Sequence, residues 1–147
     1  MSISRKEFIK RTTLLTGGII MLPVVGNLAG CSASAETTRV KVSEVGIVKF
    51  NTRGKLKNPG DSELIELENT GAKILLIKRS DSGIDALNPV CTHKGCELVK
   101  KRDFLECPCH GSEFDLSGKV LKGPAADPLQ SFKTEFDGKD TLTIFLK

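Results

Sequence analysis

The residues that could do chemistry are concentrated in two short segments of this chain. The 147 residues include five Cys and two His. Both His and four of the Cys lie in the hexapeptides CTHKGC (91–96) and CPCHGS (107–112). Each segment offers one Cys–His pair, spaced Cys-x-His or Cys-x-x-His, and one further Cys. Metal binding, disulfide formation and nucleophilic catalysis all use these residue types.

Four kinds of chemistry can be set against this pattern. A zinc site usually draws on Cys pairs or His pairs, and it would leave two thiols free. Two purely structural disulfides would explain the Cys but not the matched His. A thiol nucleophile with a His base would need one Cys set apart from the others. A two-iron cluster held by two Cys and two His uses the most residues, and it leaves one Cys in each segment.

The paired pattern Cys-x-His … Cys-x-x-His resembles that of the Rieske iron–sulfur proteins, which carry a 2Fe-2S cluster. This resemblance implies that Cys91 and Cys107 bind the inner iron of the cluster. It implies likewise that His93 and His110 bind the outer iron. Each loop would then contribute one ligand to each metal.

The same resemblance assigns further positions. Cys96 and Cys109 match the two Cys that form a disulfide in cytochrome bc-type members, and disulfides persist outside the cytoplasm. Ser112 matches a residue whose hydroxyl bonds a bridging sulfide. Phe114 stands where high-potential relatives have a Tyr that donates to a ligand sulfur. We therefore expect a positive reduction potential below the top of the Rieske range. Residues 123–128, with Gly123-Pro124-Ala125, resemble the proline loop that covers the cluster.

The first thirty residues predict an export signal that also attaches the protein to a membrane. A basic start with Arg5 and Lys6 precedes an apolar run that ends in LAGC at Cys31. LAGC resembles a bacterial lipoprotein signal, in which the Cys is lipidated. The basic start resembles a twin-arginine signal with Lys6 in place of the second Arg. An uncleaved anchor helix over about residues 12–30 is the alternative. Both place the domain on the periplasmic, extracytoplasmic side of a bacterial membrane.

The remainder of the chain must position the two hexapeptides. A polar linker is expected at residues 31–39 and a single domain at residues 40–147. Residues 39–50, 63–67, 73–79 and 83–87 are rich in Val, Ile and Leu at strand length. Residues 131–136 and 141–146 alternate around Asp137-Gly138, which predicts a hairpin. No segment after Cys31 has a helical period, so the predicted fold class is all-β.

The Rieske resemblance gives this class a definite architecture. It implies an antiparallel β base domain with a small cluster-binding subdomain at about residues 88–116. The net charge is small, because the chain has 22 Lys and Arg and 18 Asp and Glu. Most of that small basic surplus lies in the first thirty residues, so nucleic acid is not an expected partner.

The resemblance implies one-electron transfer, from a quinol to a cytochrome acceptor. The chain would then be a subunit beside a cytochrome b-type protein, in a quinol–cytochrome c reductase-type oxidoreductase, with no catalytic side chain of its own. The alternative is an electron-transfer subunit or carrier for an extracytoplasmic oxidoreductase, such as an arsenite-oxidase-like enzyme. A ferredoxin for a cytoplasmic ring-hydroxylating dioxygenase fits less well. Such ferredoxins lack the export segment and the extra Cys pair.

Overall fold

A computed structural model describes residues 37–79, 81 and 83–147 of the chain. The predicted export signal, with Arg5, Lys6 and Cys31, lies outside these residues. The described residues contain no helix, as the sequence predicts, and so none that could cross a bilayer. The strands are β1 (Thr38–Val40), β2 (Ile47–Asn51), β3 (Ser62–Leu67), β4 (Lys73–Lys78), β5 (Ile84–Leu87), β6 (Val99–Lys100), β7 (Leu105–Glu106), β8 (Glu113–Phe114), β9 (Val120–Lys122), β10 (Ser131–Phe136) and β11 (Thr141–Phe145).

Seven strands form the larger sheet, in the order β1-β3-β4-β5-β10-β11-β2. Each neighbouring pair is antiparallel except β1 and β3, which are parallel. This one parallel pair departs from the antiparallel sheet that the sequence predicts. Just after β1, Val42 pairs with Val48 of β2. The two outer strands of the sheet therefore meet, and the sheet curls towards a barrel with few exposed edges.

Strand β4 is buried on both faces, and each face belongs to a different hydrophobic core. Its four central residues, 74–77, are all buried, whereas a strand with one solvated face would alternate. Ile74 and Leu76 face the core inside the curled sheet. Leu75 and Ile77 belong to a second core, which the smaller sheet covers from outside.

The smaller sheet has the strand order β6-β7-β8-β9. Leu105 and Phe114 are fully buried where this sheet packs against the larger one. The same core contains Cys91 and Cys107, the first residues of the two hexapeptides. The apolar packing that joins the two sheets thus also fixes the starting point of both Cys/His loops.

The structure divides the apolar stretch at residues 39–50. A turn at residues 43–46 separates β1 from β2, and Gly46 has a φ of 75° in that turn. Ser43 stabilises it, because its Oγ accepts a hydrogen bond from the backbone N–H of Ile47 at 3.0 Å. β1 begins two residues before the predicted start of the domain, and β9 extends the smaller sheet past residue 116. The domain limits themselves stay predictions.

Candidate metal centre

The two Cys/His loops share one backbone pattern. Loop one (91–96) follows β5, and loop two (107–112) joins β7 to β8. In each loop the first residue donates its N–H to the carbonyl of the sixth, and the fifth residue donates to the carbonyl of the first. The four bonds are Cys91 N to Cys96 O (2.8 Å), Gly95 N to Cys91 O (2.9 Å), Cys107 N to Ser112 O (2.8 Å) and Gly111 N to Cys107 O (2.9 Å).

A glycine at the fifth position permits this tight loop. Gly95 has a φ of 77° and Gly111 a φ of 73°, a left-handed conformation that other residues adopt only with strain. A Cβ added at either position would meet no atom within 4 Å. The requirement for glycine therefore comes from the backbone angle and not from crowding.

Two buried thiols lie at the base of the loops. Cys91 and Cys107 are 2% and 1% exposed, and neither forms a disulfide. Burial raises the pKa of the Cys107 thiol. The backbone N–H of Cys109, the Cys91 thiol and the N–H of His110 all hydrogen-bond to its sulfur, and the net pKa lies below the ordinary value. The donors are thus arranged to stabilise negative charge on that sulfur, as a thiolate ligand requires.

Two imidazoles complete the site. The ring centroids of His93 and His110 are 4.9 Å apart, with the planes at 86°. His93 is half-buried and His110 is exposed. Nδ1 of His93 is buried and has no hydrogen-bond partner among the described residues. A buried polar atom without a partner is costly. A metal ion bound by this nitrogen would remove the cost, so the residues fit an iron centre.

The remaining two cysteines are joined in the disulfide Cys96–Cys109, with the Cα atoms 6.5 Å apart. This pairing is the one that the resemblance implies. The sulfur of Cys107 lies within 4.8 Å of both disulfide sulfurs. These three sulfurs do not form a metal site, because a disulfide sulfur offers no thiolate. The alternative of two structural disulfides is wrong, since Cys91 and Cys107 are free thiols.

A third loop closes over the other two. The predicted proline loop contains a cis peptide bond between Gly123 and Pro124, and Ala125 behind it is buried. The N–H of Ala125 donates to Oγ of Ser112 at 3.0 Å. This bond ties the proline loop to loop two, and it leaves the hydroxyl proton of Ser112 free to donate elsewhere.

A second tie joins the proline loop to loop one. Oγ1 of Thr92 donates to the backbone carbonyl of Asp127 at 2.7 Å. Sequence reasoning missed this contact, although Thr92 lies in the first hexapeptide and Asp127 in the predicted proline loop. Thr92 belongs to no recognised spacing of functional residues. The acceptor is a backbone carbonyl, so the identity of the side chain at Asp127 does not indicate the bond.

Phe114 lies within the second core and is fully buried. It follows Ser112 by two residues, so both side chains leave β8 and its preceding loop towards the interior. Phe114 supplies packing area and has no group that could hydrogen-bond to a sulfur.

A comparison with protein families identifies the domain. The family model described as the Rieske [2Fe-2S] domain matches residues 35–133. The chain belongs to the Rieske family. The cofactor of this Rieske domain is accordingly a 2Fe-2S cluster, and the Rieske fold implied by the sequence is confirmed.

The Rieske chain is similar to subunits of cytochrome b6-f and b-c1 complexes. It is 30% identical to the cytochrome b6-f complex iron–sulfur subunit 1 of Nostoc sp. PCC 7120, over 92% of this chain and 82% of that subunit. It is 34% identical to the mitochondrial Rieske subunit of the cytochrome b-c1 complex of Lagothrix lagotricha, over 66% of this chain and 36% of that one. Against three further b6-f subunits it spans only 34%, 41% and 40% of their length.

Among solved structures, the Rieske chain is similar to the plasma membrane Rieske protein of the cyanobacterium Synechocystis PCC 6803. The TM-score is 0.55 and the identity 34%, over 65% of this chain and 97% of that one. The chain is thus an electron-transfer Rieske protein related to subunits of cytochrome b6-f and b-c1 complexes.

Proposed function

We propose that this chain is the iron–sulfur subunit of a membrane-bound complex that oxidises quinol. When bound, a 2Fe-2S cluster would supply the one-electron oxidation and reduction that connect the quinol to a cytochrome. The relatives named as b6-f and b-c1 subunits support this function. The observation that carries it is a pair of loops that a disulfide joins, which hold two free buried thiols and two imidazoles with ring centroids 4.9 Å apart.

In this proposal Cys91 and Cys107 would hold one iron, and His93 and His110 would hold the other. The buried thiols lie on the protein side, whereas the exposed ring of His110 lies at the surface. The buried Nδ1 of His93, which has no hydrogen-bond partner, supports binding of the metal through that nitrogen.

The protein shapes the chemistry of the cluster, which supplies one-electron oxidation and reduction. The second core excludes water from the cysteine side, because Cys91, Cys107 and Phe114 are all nearly inaccessible. The disulfide and the proline loop hold the two loops together from outside. Electron transfer needs the cofactor close to a partner, and the exposed His110 provides that approach.

Membrane attachment is part of the proposal. Cys31 carries the lipid, and Arg5 belongs to the signal that exports the folded domain to the periplasmic side. Diacylglycerol supplies two acyl chains, which suffice for stable anchoring where one does not. The disulfide agrees with an oxidising, extracytoplasmic compartment. Mass spectrometry of the mature N-terminus tests this, and an unmodified chain that begins at Met1 would favour the uncleaved anchor helix instead.

The partner is tested by purifying the tagged protein from detergent-solubilised membranes of its own cells. We expect a b-type cytochrome to co-purify, visible by haem staining, and menaquinol to reduce the cluster in the isolated complex. A molybdenum-containing partner without cytochrome b would contradict the proposal and favour the arsenite-oxidase-like alternative. A variant without the cluster, Cys107→Ala, controls for reduction at other redox centres.

A further inference from the structure

The turn between β1 and β2 presents an apolar side chain to solvent. Val45 is 68% exposed, more than any other large apolar residue that the structure describes. It lies in the turn at residues 43–46, whose backbone is fixed by hydrogen bonds from Ser43 N to Ile47 O and from Gly46 N to Ser43 O, both 2.9 Å. A rigid turn therefore holds Val45 outward at the end of the sheet.

Lysines flank this turn on both sides. Lys41, Val42, Ser43, Val45, Ile47 and Lys49 line a shallow concavity of about 550 Å³. The side chains of Lys41 and Lys49 form no ion pair or hydrogen bond with other described residues. Glu44 is the only acidic residue between residues 41 and 49. We call residues 41–49 the apolar tip. An apolar side chain between unpaired lysines is typical of a surface that meets lipid headgroups.

The apolar tip and the cluster lie at the same end of the larger sheet. β1 runs parallel to β3, and β3 and β5 are both antiparallel to β4. β1 and β5 therefore point the same way. The chain enters the apolar tip after β1 and enters loop one after β5.

We propose that the apolar tip rests on the anionic lipid surface of the membrane. In that orientation the cluster end of the domain faces the bilayer, where a lipid-soluble quinol is held. Val45 enters the headgroup region, and Lys41 and Lys49 contact lipid phosphates. The inference rests on the membrane attachment proposed above.

The length of the tether allows this orientation. The seven steps of chain from Cys31 to Thr38 reach at most about 25 Å when fully extended. Thr38 lies at the far end of β1, and seven further steps of chain separate it from Val45. The distance from Thr38 to Val45 is therefore also at most about 25 Å. A lipid on Cys31 can thus stay in the bilayer while Val45 touches its surface.

Hydrogen exchange on the full-length, lipidated holoprotein tests the inference. The protein is placed in detergent, in phosphatidylcholine vesicles, and in vesicles that also contain phosphatidylglycerol. We expect the amides of residues 43–47 to exchange more slowly in the anionic vesicles than in the other two. Near an anionic surface each lysine contributes about fivefold to binding. Lys41→Gln/Lys49→Gln should therefore reduce the protection about 25-fold, and Val45→Ser should reduce it as well.

Matched variants give the control. Lys57→Gln/Lys139→Gln removes the same charge from the opposite end of the larger sheet, beyond β2 and in the β10–β11 turn. Val99→Ser removes an apolar side chain that is 46% exposed on β6. Neither control should change the exchange of residues 43–47.

The remaining outcomes each count against the inference. Equal exchange in detergent and in anionic vesicles, with the protein attached, would overturn the docking but leave the attachment intact. Protection lost in the lysine control would place the lipid contact at the opposite end. Protection that requires native membranes and is absent from protein-free vesicles would assign the apolar tip to a protein partner. A chain that does not float with vesicles would refute the attachment and this inference together.

Discussion

Loop one and loop two have the same backbone but carry different side chains at equivalent positions. Both begin with a buried Cys and have Gly fifth, and both close with the same pair of hydrogen bonds. The third position holds His93 in loop one and Cys109 in loop two. The sixth position holds Cys96 in loop one and Ser112 in loop two. The disulfide thus joins non-equivalent positions of two equivalent loops.

The difference is reflected in exposure. His93 and Cys96 of loop one are half-buried, whereas Cys109 and His110 of loop two are exposed. At the third position, therefore, loop two is more exposed than loop one. The His residue is third in loop one and fourth in loop two. This one-residue shift gives the two loops different exposed side chains on the same backbone.

The largest expected effect is loss of the cluster when the first Cys or the His of either loop is replaced. Cys91→Ala, Cys107→Ala, His93→Ala and His110→Ala should each lose the native cluster, because each removes a proposed ligand. Iron and sulfide analysis and paramagnetic resonance of the reduced protein measure this. Lys94→Ala is the matched control, since Lys94 is exposed at the position in loop one that His110 holds in loop two. A normal cluster in Cys107→Ala would contradict the assignment of ligands.

Opening the disulfide between the two loops should have the next largest effect, a loss of thermal stability. Cys96→Ser/Cys109→Ser opens a link with a sequence separation of 13. Loop entropy alone assigns such a link about 3 kcal/mol. The cluster connects the same loops, so we expect a loss of about 1–2 kcal/mol, or roughly 5–15 °C in the thermal loss of visible circular dichroism. Either single variant should equal the double one. A melting temperature unchanged from the parent would show that the cluster alone holds the loops.

The sequence predicted the long strands better than the short ones. β3, β4, β10 and β11 follow the stretches of Val, Ile and Leu or the alternation closely, because burial on one or both faces dictates those residue types. β6, β7 and β8 have two residues each, which is too short for a period. Their positions depend on contacts distant in sequence, such as the packing of Leu105 against the larger sheet.

The shared backbone of the two loops was also beyond sequence reasoning. CTHKGC and CPCHGS have only Cys first and Gly fifth in common. Their His spacings differ, so the pattern of ligands hides the equivalence. The structure shows it through hydrogen bonds between backbone groups, which do not depend on the identity of the side chain.

Glycine at the fifth position offers a direct test of that equivalence. Gly95→Ala and Gly111→Ala should each cost about 1–2 kcal/mol, the strain of a left-handed L-residue. The two costs should agree, since both sites lack a Cβ clash. Chemical denaturation measures the free energy of unfolding. Gly138→Ala, at a φ of 80° in the β10–β11 turn, has the same strain without any cluster nearby. A much larger cost at only one loop would show that the loops differ in their freedom to relax.

Hydroxyl groups on the loop-two side should tune the potential. A hydrogen bond to a cluster sulfur stabilises the more negative, reduced form and raises the potential. If one such bond contributes about 1 kcal/mol, its loss lowers the potential by about 40 mV. Ser112→Ala should therefore lower it, and Phe114→Tyr should raise it by a similar amount. Protein-film voltammetry near neutral pH measures both, with Ser131→Ala, an exposed serine on β10, as the control.

Two results would contradict this account of tuning. An unchanged potential in Phe114→Tyr would show that a hydroxyl at this buried position does not reach a ligand sulfur. A parent potential already near +300 mV, the top of the Rieske range, would show that other donors compensate for Phe114.

The smallest expected effect lies in the tie between loop one and the proline loop. Thr92→Val keeps the branched shape but removes the donor to the Asp127 carbonyl. This contact is exposed, so water replaces the lost donor. The cost should be about 0.5 kcal/mol, or roughly 2–4 °C in the thermal loss of the cluster. Thr92→Ser, which keeps the hydroxyl, should recover most of the difference. The corresponding tie of loop two, from Ala125 to Ser112, is buried and has no water to replace it. Thr92→Val could instead destabilise the cluster as much as opening the disulfide does. Loop one would then depend on the proline loop as strongly as loop two does. The asymmetry between the two loops would in that case be confined to their side chains.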